Sequence, residues 1–205
     1  DFFTWQVNDG TSLSNTATVT IIVTAQTGPN ANDITASTDE DNGVDIALDG
    51  SDPEGDSLTY AIVDQAANGV VTFLSSSPGA KTVNYLPNQN WNGEDAFTYN
   101  VNDGDSNSNT ARVIVVVSPV NDTPTTNDVN VSTDEDLAIT ITLDGADVDG
   151  DNITYQGAHP LNGDRGDIIG NTIIYTPNPN WNGTEIMTYE VNDNSGVAGA
   201  ESNTS

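Results

Sequence analysis

Two short acidic loops are the residues of this chain best suited to chemistry. Asp147, Asp149 and Asp151 stand at alternate positions around Gly150, and the segment at residues 52–56 repeats the arrangement. Carboxylates spaced in this way converge on one point around a glycine turn, whereas on a flat strand they would line one face. Ca²⁺ takes about six to eight oxygen ligands in a flexible shell, while Mg²⁺ dehydrates reluctantly and rarely uses an all-protein cage. The loops therefore predict calcium sites.

Further oxygen ligands recur at fixed places along the chain. Each loop is preceded by another acid, Asp49 or Asp144, and two Thr-Asp-Glu-Asp segments stand at residues 38–41 and 133–136. The junction at residues 120–128 adds carboxylates and amides where two repeats meet. A single exposed acid is ordinarily a solvated surface charge, but acids that recur at the same places in both repeats favour a metal-binding role.

The acidic segments belong to a longer repeated sequence. Residues 32–41 return as residues 127–136, and residues 1–10 return as residues 95–104 and, more loosely, as residues 185–194. A period of roughly 90 to 95 residues exceeds the ~20–50 residues of a solenoid unit and suits an array of whole domains. Because each acidic loop recurs with its domain, we expect it to help hold the array together, whereas an enzyme normally needs only one site.

The middle repeat, residues 30–122, predicts seven strands and no helix. Alternation is clearest where Phe97, Tyr99 and Val101 face one way and the intervening polar residues face the other. The predicted strands are residues 34–37, 43–48, 58–63, 70–74, 82–86, 96–102 and 110–118. Short alternating strands separated by turn signals favour an all-β protein made of tandem seven-stranded, immunoglobulin-like β-sandwich domains.

An Asn-Trp-Asn-Gly segment recurs at residues 90–93 and 180–183. Asn-Gly supplies the positive φ that tight turns require, so each segment predicts a turn between two strands. We expect Trp91 and Trp181 to fold onto the edge of the sandwich, since Trp is mostly buried. The alternative is an exposed aromatic platform on which a sugar stacks.

Composition excludes several classes of function. The chain carries 31 acids against 3 bases, a formal charge of −28. Binding to nucleic acid or to an anionic membrane surface needs a basic footprint that this chain lacks. Such an excess of carboxylates repels itself in a compact state, and bound cations would relieve that repulsion. The absence of cysteine excludes disulfides and thiolate metal sites, and no apolar stretch approaches the ~20 residues of a membrane span.

The sequence contains no recognisable catalytic motif. His159 is the one histidine, and it occurs in one repeat only, in a segment flanked by glycine and proline. A catalytic triad or a histidine-ligated metal would need fixed partners around it. Carboxylate pairs of the glycosidase kind need one acid with a raised pKa, whereas acids gathered around a cation stay ionised. We therefore predict that the chain is not an enzyme.

The repeat resembles a known family. Its form is Asn-Gly-x-Asp-x-Phe-Thr-Tyr-x-Val-Asn-Asp-Gly, then a Thr/Val-rich strand, then Val-Asn-Asp-x-Pro, here at residues 92–104, 111–117 and 120–124. This pattern is similar to the bacterial cadherin-like tandem repeats of giant calcium-dependent surface adhesins and extracellular matrix proteins, and it covers essentially the whole chain. The resemblance implies Ca²⁺ at the domain junctions, with ligands from the opening Glu, the linker and the Asp-x-Asp loop.

Position by position, the resemblance implies a set of oxygen ligands. They are Glu40, Asp52, Glu54, Asp56, Asp103, Asn121, Asp122, Glu135, Asp147, Asp149 and Asp151. The acidic clusters themselves add Asp41, Asp128 and Asp136. Two departures distinguish the first junction: Glu54 stands where the later loop has Asp149, and the linker at residues 27–33 lacks Asn-Asp before its proline. We expect that junction to hold fewer ions or to bend more.

The resemblance also divides the chain into three parts. Residues 1–29 correspond to the last two strands of a cadherin-like domain, and residues 30–122 to a complete one. Residues 123–205 correspond to a domain with six strands that lacks its last strand. The neighbouring repeats of the same protein are the expected partners.

The expected function is that of a structural segment. We expect an extracellular extender at a bacterial cell surface, in an adhesin, matrix protein or filament that Ca²⁺ stiffens at the domain junctions. One alternative is a module that binds polysaccharide through Trp91 and Trp181. Another is a homopolymer in which residues 16–24 of one copy close the open edge of another copy's last domain.

Overall fold

The computed structural model describes residues 1–23 and 25–195, and all the regular structure in those ranges is β-strand. The strands are β1 (Phe2–Trp5), β2 (Ala17–Thr20), β3 (Asn30–Ala31), β4 (Ile34–Asp39), β5 (Val44–Ala47), β6 (Gly50–Ser51), β7 (Thr59–Asp64), β8 (Gly69–Phe73), β9 (Thr82–Pro87), β10 (Gly93–Asn102), β11 (Ala111–Ser118), β12 (Ile139–Thr142), β13 (Thr154–Gly157), β14 (Gly163–Arg165), β15 (Thr172–Pro177) and β16 (Tyr189–Asn192). Within the described ranges no helix has the length and apolar character to cross a membrane. The chain divides into a first unit, Asp1–Ser118, and a second unit, Pro119–Ser205.

The first unit contains a two-sheet sandwich. One sheet has the order β4-β11-β10-β7 and the other β5-β9-β8, with β11 parallel to β4 and antiparallel to β10. Phe97 lies opposite Val113 in the β10–β11 ladder, and both side chains are buried. The inward faces of the two sheets supply one core, in which Tyr85 and Tyr99 are among the largest fully buried side chains. This all-β, immunoglobulin-like sandwich is the predicted fold class.

Each of the seven strands predicted for the middle repeat overlaps an observed strand. The structure adds the two-residue strands β3 and β6, which pair with each other beside the first acidic loop. Their sequences are too short and too polar to carry a period-two pattern. The number of strands in this repeat is therefore larger than the seven that alternation predicts.

Residues 1–23 form the hairpin β1–β2, in which Phe3 pairs with Val19. Its apolar side chains are largely exposed, with Phe2 at 73% and Ile22 at 82%. The prediction that these residues are the last two strands of another domain stays a prediction. The predicted exchange strand, residues 16–24, ends at a residue outside the described ranges.

The second unit has a smaller core between the sheet β12-β15-β14 and the pair β13-β16. Five strands are observed among its described residues, where six were predicted. The missing one is the counterpart of β4, at residues 129–133. In the first unit β4 pairs only with β11, and no counterpart of β11 lies among the described residues of the second unit. Without that ladder, the β4-like sequence has no strand partner among residues 119–195 to make it a strand.

Candidate metal centre

The loop at residues 147–151 folds around its first carboxylate. Oδ1 of Asp147 accepts the backbone N–H groups of Asp149 at 2.9 Å and of Asp151 at 3.1 Å. Gly150 makes the turn with φ of 77°, in a region that residues with a Cβ rarely adopt. As a result Asp147, Asp149 and Asp151 each place one carboxylate oxygen within 4.8 Å of the others. The loop thus brings together the three acids that the sequence spacing predicted to converge.

The second oxygen of the Asp147 carboxylate, Oδ2, indicates whether a cation fits this loop. Oδ2 of Asp147 is shielded from solvent, and no described residue donates a hydrogen bond to it. A buried charged acceptor without a partner costs free energy that a cation among the three carboxylates would recover. Oδ2 of Asp52 has the same character in the first unit. The donor set, which contains only oxygen, suits a hard divalent cation such as Ca²⁺.

The loop at residues 52–56 has the same backbone but different partners. Oδ1 of Asp52 accepts the N–H groups of Glu54 at 2.9 Å and of Asp56 at 3.0 Å. Here the other two acids are engaged from outside the loop, because the Gln26 amide donates to Oδ2 of Asp56 at 2.6 Å and Thr27 N donates to Oε2 of Glu54 at 3.3 Å. Among the described residues, only the 147–151 loop forms a cluster of three acids within 4.8 Å.

Two linker residues lie against the acids of the second unit. Asp122 N donates to Oδ2 of Asp149 at 2.7 Å, and the Asn121 amide donates to Oδ2 of Asp193 at 2.7 Å. The hydrogen bond from Asn121, together with one from Ser195 N, holds the pKa of Asp193 below its ordinary value. The structure therefore brings Asn121 and Asp122 to the acidic end of the second unit, where the sequence predicted linker ligands.

A buried tyrosine closes the base of this loop. The Tyr189 hydroxyl bonds to the carbonyl oxygens of Asn127 and of Asp144, the latter at 3.0 Å, and accepts from Asp144 N at 3.3 Å. The Asn127 side chain donates to Oδ2 of Asp144 at 2.8 Å, and Thr125 exchanges both backbone hydrogen bonds with Ala146. The segment that enters the domain is thus tied to the residues just before the acidic loop.

The opening acids of the first unit lie at the other end of its long strand. Oδ1 of Asp41 accepts Asn90 N at 2.9 Å, and the buried Glu40 accepts the Asn92 amide at 3.4 Å. These contacts lie beside the Gly93 end of β10, whereas Thr59, just after the acidic loop, pairs with Asn102 at its other end. The ten residues of β10 span about 30 Å. One ion in this unit cannot bind Glu40 and Asp52 together.

The counterparts in the second unit repeat part of this pattern. Oδ1 of Asp136 accepts Asn180 N at 2.8 Å, as Asp41 does from Asn90. Glu135 is exposed, unlike Glu40, and Asp128 is exposed as well. Asp41 and Asp136 therefore cap the turns that carry the tryptophans, a role that accounts for their recurrence without a metal.

Asp103 is held within its own turn. Its Oδ1 accepts the N–H groups of Asp105 and Ser106, each at 2.7 Å, and these bonds lower its pKa. Asp9 makes the equivalent contacts, where the Thr11 hydroxyl and the backbone of Ser12 and Thr11 lower its pKa to about 2. An acid at this position stabilises the turn in both copies, whether or not it also binds an ion.

A buried acid that the sequence analysis did not single out stands at the start of β10's apolar run. The Asp95 carboxylate accepts the N–H groups of Ala67 at 3.1 Å and Asn68 at 2.8 Å, and the hydroxyl of Tyr85 at 3.0 Å. Burial raises its pKa, but the hydrogen bonds outweigh burial and the net pKa is lowered. Glu185 accepts Leu161 N and Asn162 N in the second unit. The sequence feature that could have identified these two acids is their recurrence, because an acid opens each copy of the repeated segment at residues 1–10, 95–104 and 185–194.

The tryptophans pack against their own turns. Trp91 is partly buried against the core of the first unit, and a Cβ added to Gly93 would lie 3.3 Å from its ring. Trp181 has the same relation to Gly183, at 3.1 Å. The glycine in each turn therefore provides both the positive φ and the space for the indole.

Replacing Trp91 by Ala is expected to lower the free energy of unfolding of the first unit by about 2 kcal/mol, less than for a fully buried aromatic residue. Urea unfolding of the chain would measure this, with Trp5→Ala as the matched control, since Trp5 is 51% exposed. An unchanged free energy of unfolding together with loss of binding to a polysaccharide column would instead establish Trp91 as a sugar platform.

Comparison with known proteins gives one family and several similar folds. The family model for bacterial Ig domains matches residues 26–116 and 121–204. No curated protein sequence matches the chain. The structure of human protocadherin-24 EC1-2 is similar over 88% of this chain and 94% of that one, with 14% identity and a TM-score of 0.53. That of human CDH23 EC21-23 is similar over 98% and 71%, with 21% identity and a TM-score of 0.52.

A third similar structure is an endo-fucoidan hydrolase of glycoside hydrolase family 107, with 20% identity and a TM-score of 0.41. The match covers 98% of this chain, which spans about a third of the hydrolase chain.

Proposed function

Because this chain belongs to the bacterial Ig domain family, we propose that it is a calcium-binding structural segment of an extracellular adhesin, matrix protein or filament at a bacterial surface. Tandem domains of the immunoglobulin-like and cadherin-like fold are usually non-catalytic, and the segment acts by its length and stiffness. Support comes from the acidic loop of the second unit, from the repetition of that loop, and from the formal charge of −28.

The observation that carries the proposal is the buried Oδ2 of Asp147 in a loop where three carboxylates face one another. Asp147, Asp149 and Asp151 would hold the ion in the second unit. Asp52, Glu54 and Asp56 would hold one in the first unit more weakly, because Gln26 and Thr27 already bind two of these acids. Bound Ca²⁺ would supply positive charge that screens the carboxylates from one another.

Stiffening follows from what the linker touches. Asp122 donates its backbone N–H to Asp149, so a loop that is ordered by a cation also orders the residue before Thr123 and Pro124. Without the cation the carboxylates repel one another, and the linker loses this fixed acceptor. We propose that this coupling at each repeat turns a flexible array into a rod, as the resemblance to calcium-dependent adhesin repeats implies.

Titration calorimetry of the chelator-stripped chain tests the proposal directly. We expect Ca²⁺ to bind with a dissociation constant on the order of 10⁻⁴–10⁻³ M or tighter, as in extracellular modules, and Mg²⁺ to bind much more weakly. Asp147→Asn should remove the site in the second unit. The amide oxygen can still accept the N–H groups of Asp149 and Asp151, but the amide nitrogen in place of Oδ2 cannot bind a cation.

The matched control is Asp164→Asn, which removes the same charge from an exposed acid of the second unit outside the loop. Equal Ca²⁺ binding by the wild type, Asp147→Asn and Asp164→Asn would contradict the assignment of the site. Failure of the wild type to bind Ca²⁺ at millimolar concentration would contradict the function.

A further inference from the structure

The geometry points to Tyr189 as a positioning residue for cation binding, through its hydroxyl group and not through its ring. We propose that this hydroxyl holds the base of the 147–151 loop against the entry segment of the second unit, and so keeps the three carboxylates gathered before an ion arrives. The inference rests on the proposed function, since it concerns the same loop. It adds a residue that no acidic motif identifies.

The contacts of the hydroxyl show what it connects. The Tyr189 ring is buried in the core of the second unit, at 8% exposure. Its oxygen reaches the carbonyls of Asn127 and Asp144 and the N–H of Asp144. Phe could fill a core position of this size, as Phe97 does in β10. Packing of the ring therefore does not explain the tyrosine, whereas the hydrogen bonds of its hydroxyl group to the backbone do. Removing it would leave part-buried carbonyl groups without this partner, which costs free energy.

The connection to the acids is short and stiff. Asp144 lies three residues before Asp147, and the residue between them that pairs with the entry segment is Ala146, through reciprocal hydrogen bonds of 2.8 and 3.0 Å with Thr125. The Asn127 side chain adds a bond to the Asp144 carboxylate. Greater backbone motion at Asp144 would therefore also move the 147–151 loop, in which the Asp147 carboxylate holds the backbone of Asp149 and Asp151. Groups that orient ligands in this way change metal affinity even though they do not touch the ion.

The first unit contains the same arrangement. The Tyr99 hydroxyl bonds to the carbonyls of Asn32 at 2.6 Å and Asp49 at 2.7 Å, and it accepts Asp49 N at 3.1 Å. The Asn32 amide donates to Oδ2 of Asp49 at 2.7 Å. The acids of the two loops have different partners, but each loop has a tyrosine hydroxyl bonded to the backbone at its base. The arrangement therefore recurs with the loop and does not depend on the contacts of Gln26 or Asp122.

The test compares two buried tyrosines of the second unit. Tyr189→Phe removes the hydroxyl beneath the acidic loop, and Tyr175→Phe removes the hydroxyl of a similarly buried tyrosine, which donates to the carbonyl of Asn162 at 3.3 Å. Titration calorimetry of the full chain would measure Ca²⁺ affinity well below the melting temperature of each variant. We expect about a 10-fold loss of affinity at the second-unit site for Tyr189→Phe, in line with other outer-shell changes, and less than a 2-fold change for Tyr175→Phe.

A spectroscopic readout separates positioning from general stability. Tb³⁺ bound in place of Ca²⁺ reports the number of coordinated waters through its luminescence lifetimes in H₂O and D₂O. We expect Tyr189→Phe to admit at least one additional water, because poorly gathered carboxylates leave coordination positions open, and Tyr175→Phe to admit none.

Unchanged affinity and hydration in Tyr189→Phe would overturn the inference, and so would equal losses in both variants. If the wild type itself does not bind Ca²⁺, the proposed function fails first, which is distinguishable from failure of Tyr189 alone.

Discussion

Excess Ca²⁺ is expected to raise the melting temperature of this chain by more than about 10 °C, and Mg²⁺ to raise it much less. A ligand at a hundred times its dissociation constant stabilises the folded state by ~2.7 kcal/mol per site. In a domain of this size each kcal/mol shifts the melting temperature by about 4–8 °C. The acids at residues 147–151 repel one another without a cation, so removal of the ion weakens the domain as well as the site. A thermal melt with excess Ca²⁺, repeated with a chelator and with Mg²⁺, measures the effect.

Variants assign the shift to its source. Asp147→Asn should abolish most of the Ca²⁺-dependent shift of the second unit, while Asp164→Asn should leave it intact. A single melting temperature that neither Ca²⁺ nor the chelator changes would mean that the acids are a solvated surface. The calcium-stiffened array would then be wrong, although the family and the fold would stand.

A second large effect on stability is expected from replacing Asp95, which is not a ligand of any proposed ion. Asp95→Ala should lower the free energy of unfolding of the first unit by about 3 kcal/mol, because it leaves two part-buried N–H groups and the buried Tyr85 hydroxyl without their charged acceptor. The expected fall in melting temperature is roughly 15 °C. Differential scanning calorimetry in the presence of Ca²⁺ would measure it. The matched control is Glu94→Gln, the neighbouring acid on the same strand, which is exposed and paired with Arg112 at 3.8 Å.

The effect of Asp95 should depend on pH in a defined direction. Its pKa in the folded state lies below the ordinary value because hydrogen bonds outweigh burial. A group with a depressed pKa contributes its full stability above the unfolded pKa, about 3.9 for Asp, and loses it as the pH falls through the folded pKa. The difference between wild type and Asp95→Asn should therefore be largest near neutral pH and shrink below pH ~4. A difference that grows on acidification would contradict the role of the ionised carboxylate.

Alternation predicted the strands of the middle repeat well because each strand has one face on a shared core. Phe97, Tyr99 and Val101 repeat every second residue, and burial of that face fixes both the strand and its register. The same reasoning overcounted the second unit. Residues 129–133 have a strand-like sequence, but a strand needs a backbone partner, and a pattern within one segment does not supply it.

The sequence by itself determined the all-β tandem architecture, the family and the two acidic loops, because period-two patterning, a repeat of roughly 90 to 95 residues and acids around a glycine are local properties of the chain. Only the tertiary structure separated the acids into groups with different partners. Asp41 and Asp136 cap distant turns, Asp103 stabilises its own turn, and Asp147 has a buried oxygen without a donor among the described residues. Asp103 uses contacts within its own turn, but hydrogen bonds between residues far apart in sequence decide the roles of Asp41, Asp136 and Tyr189, and the spacing of residues along a chain does not encode them.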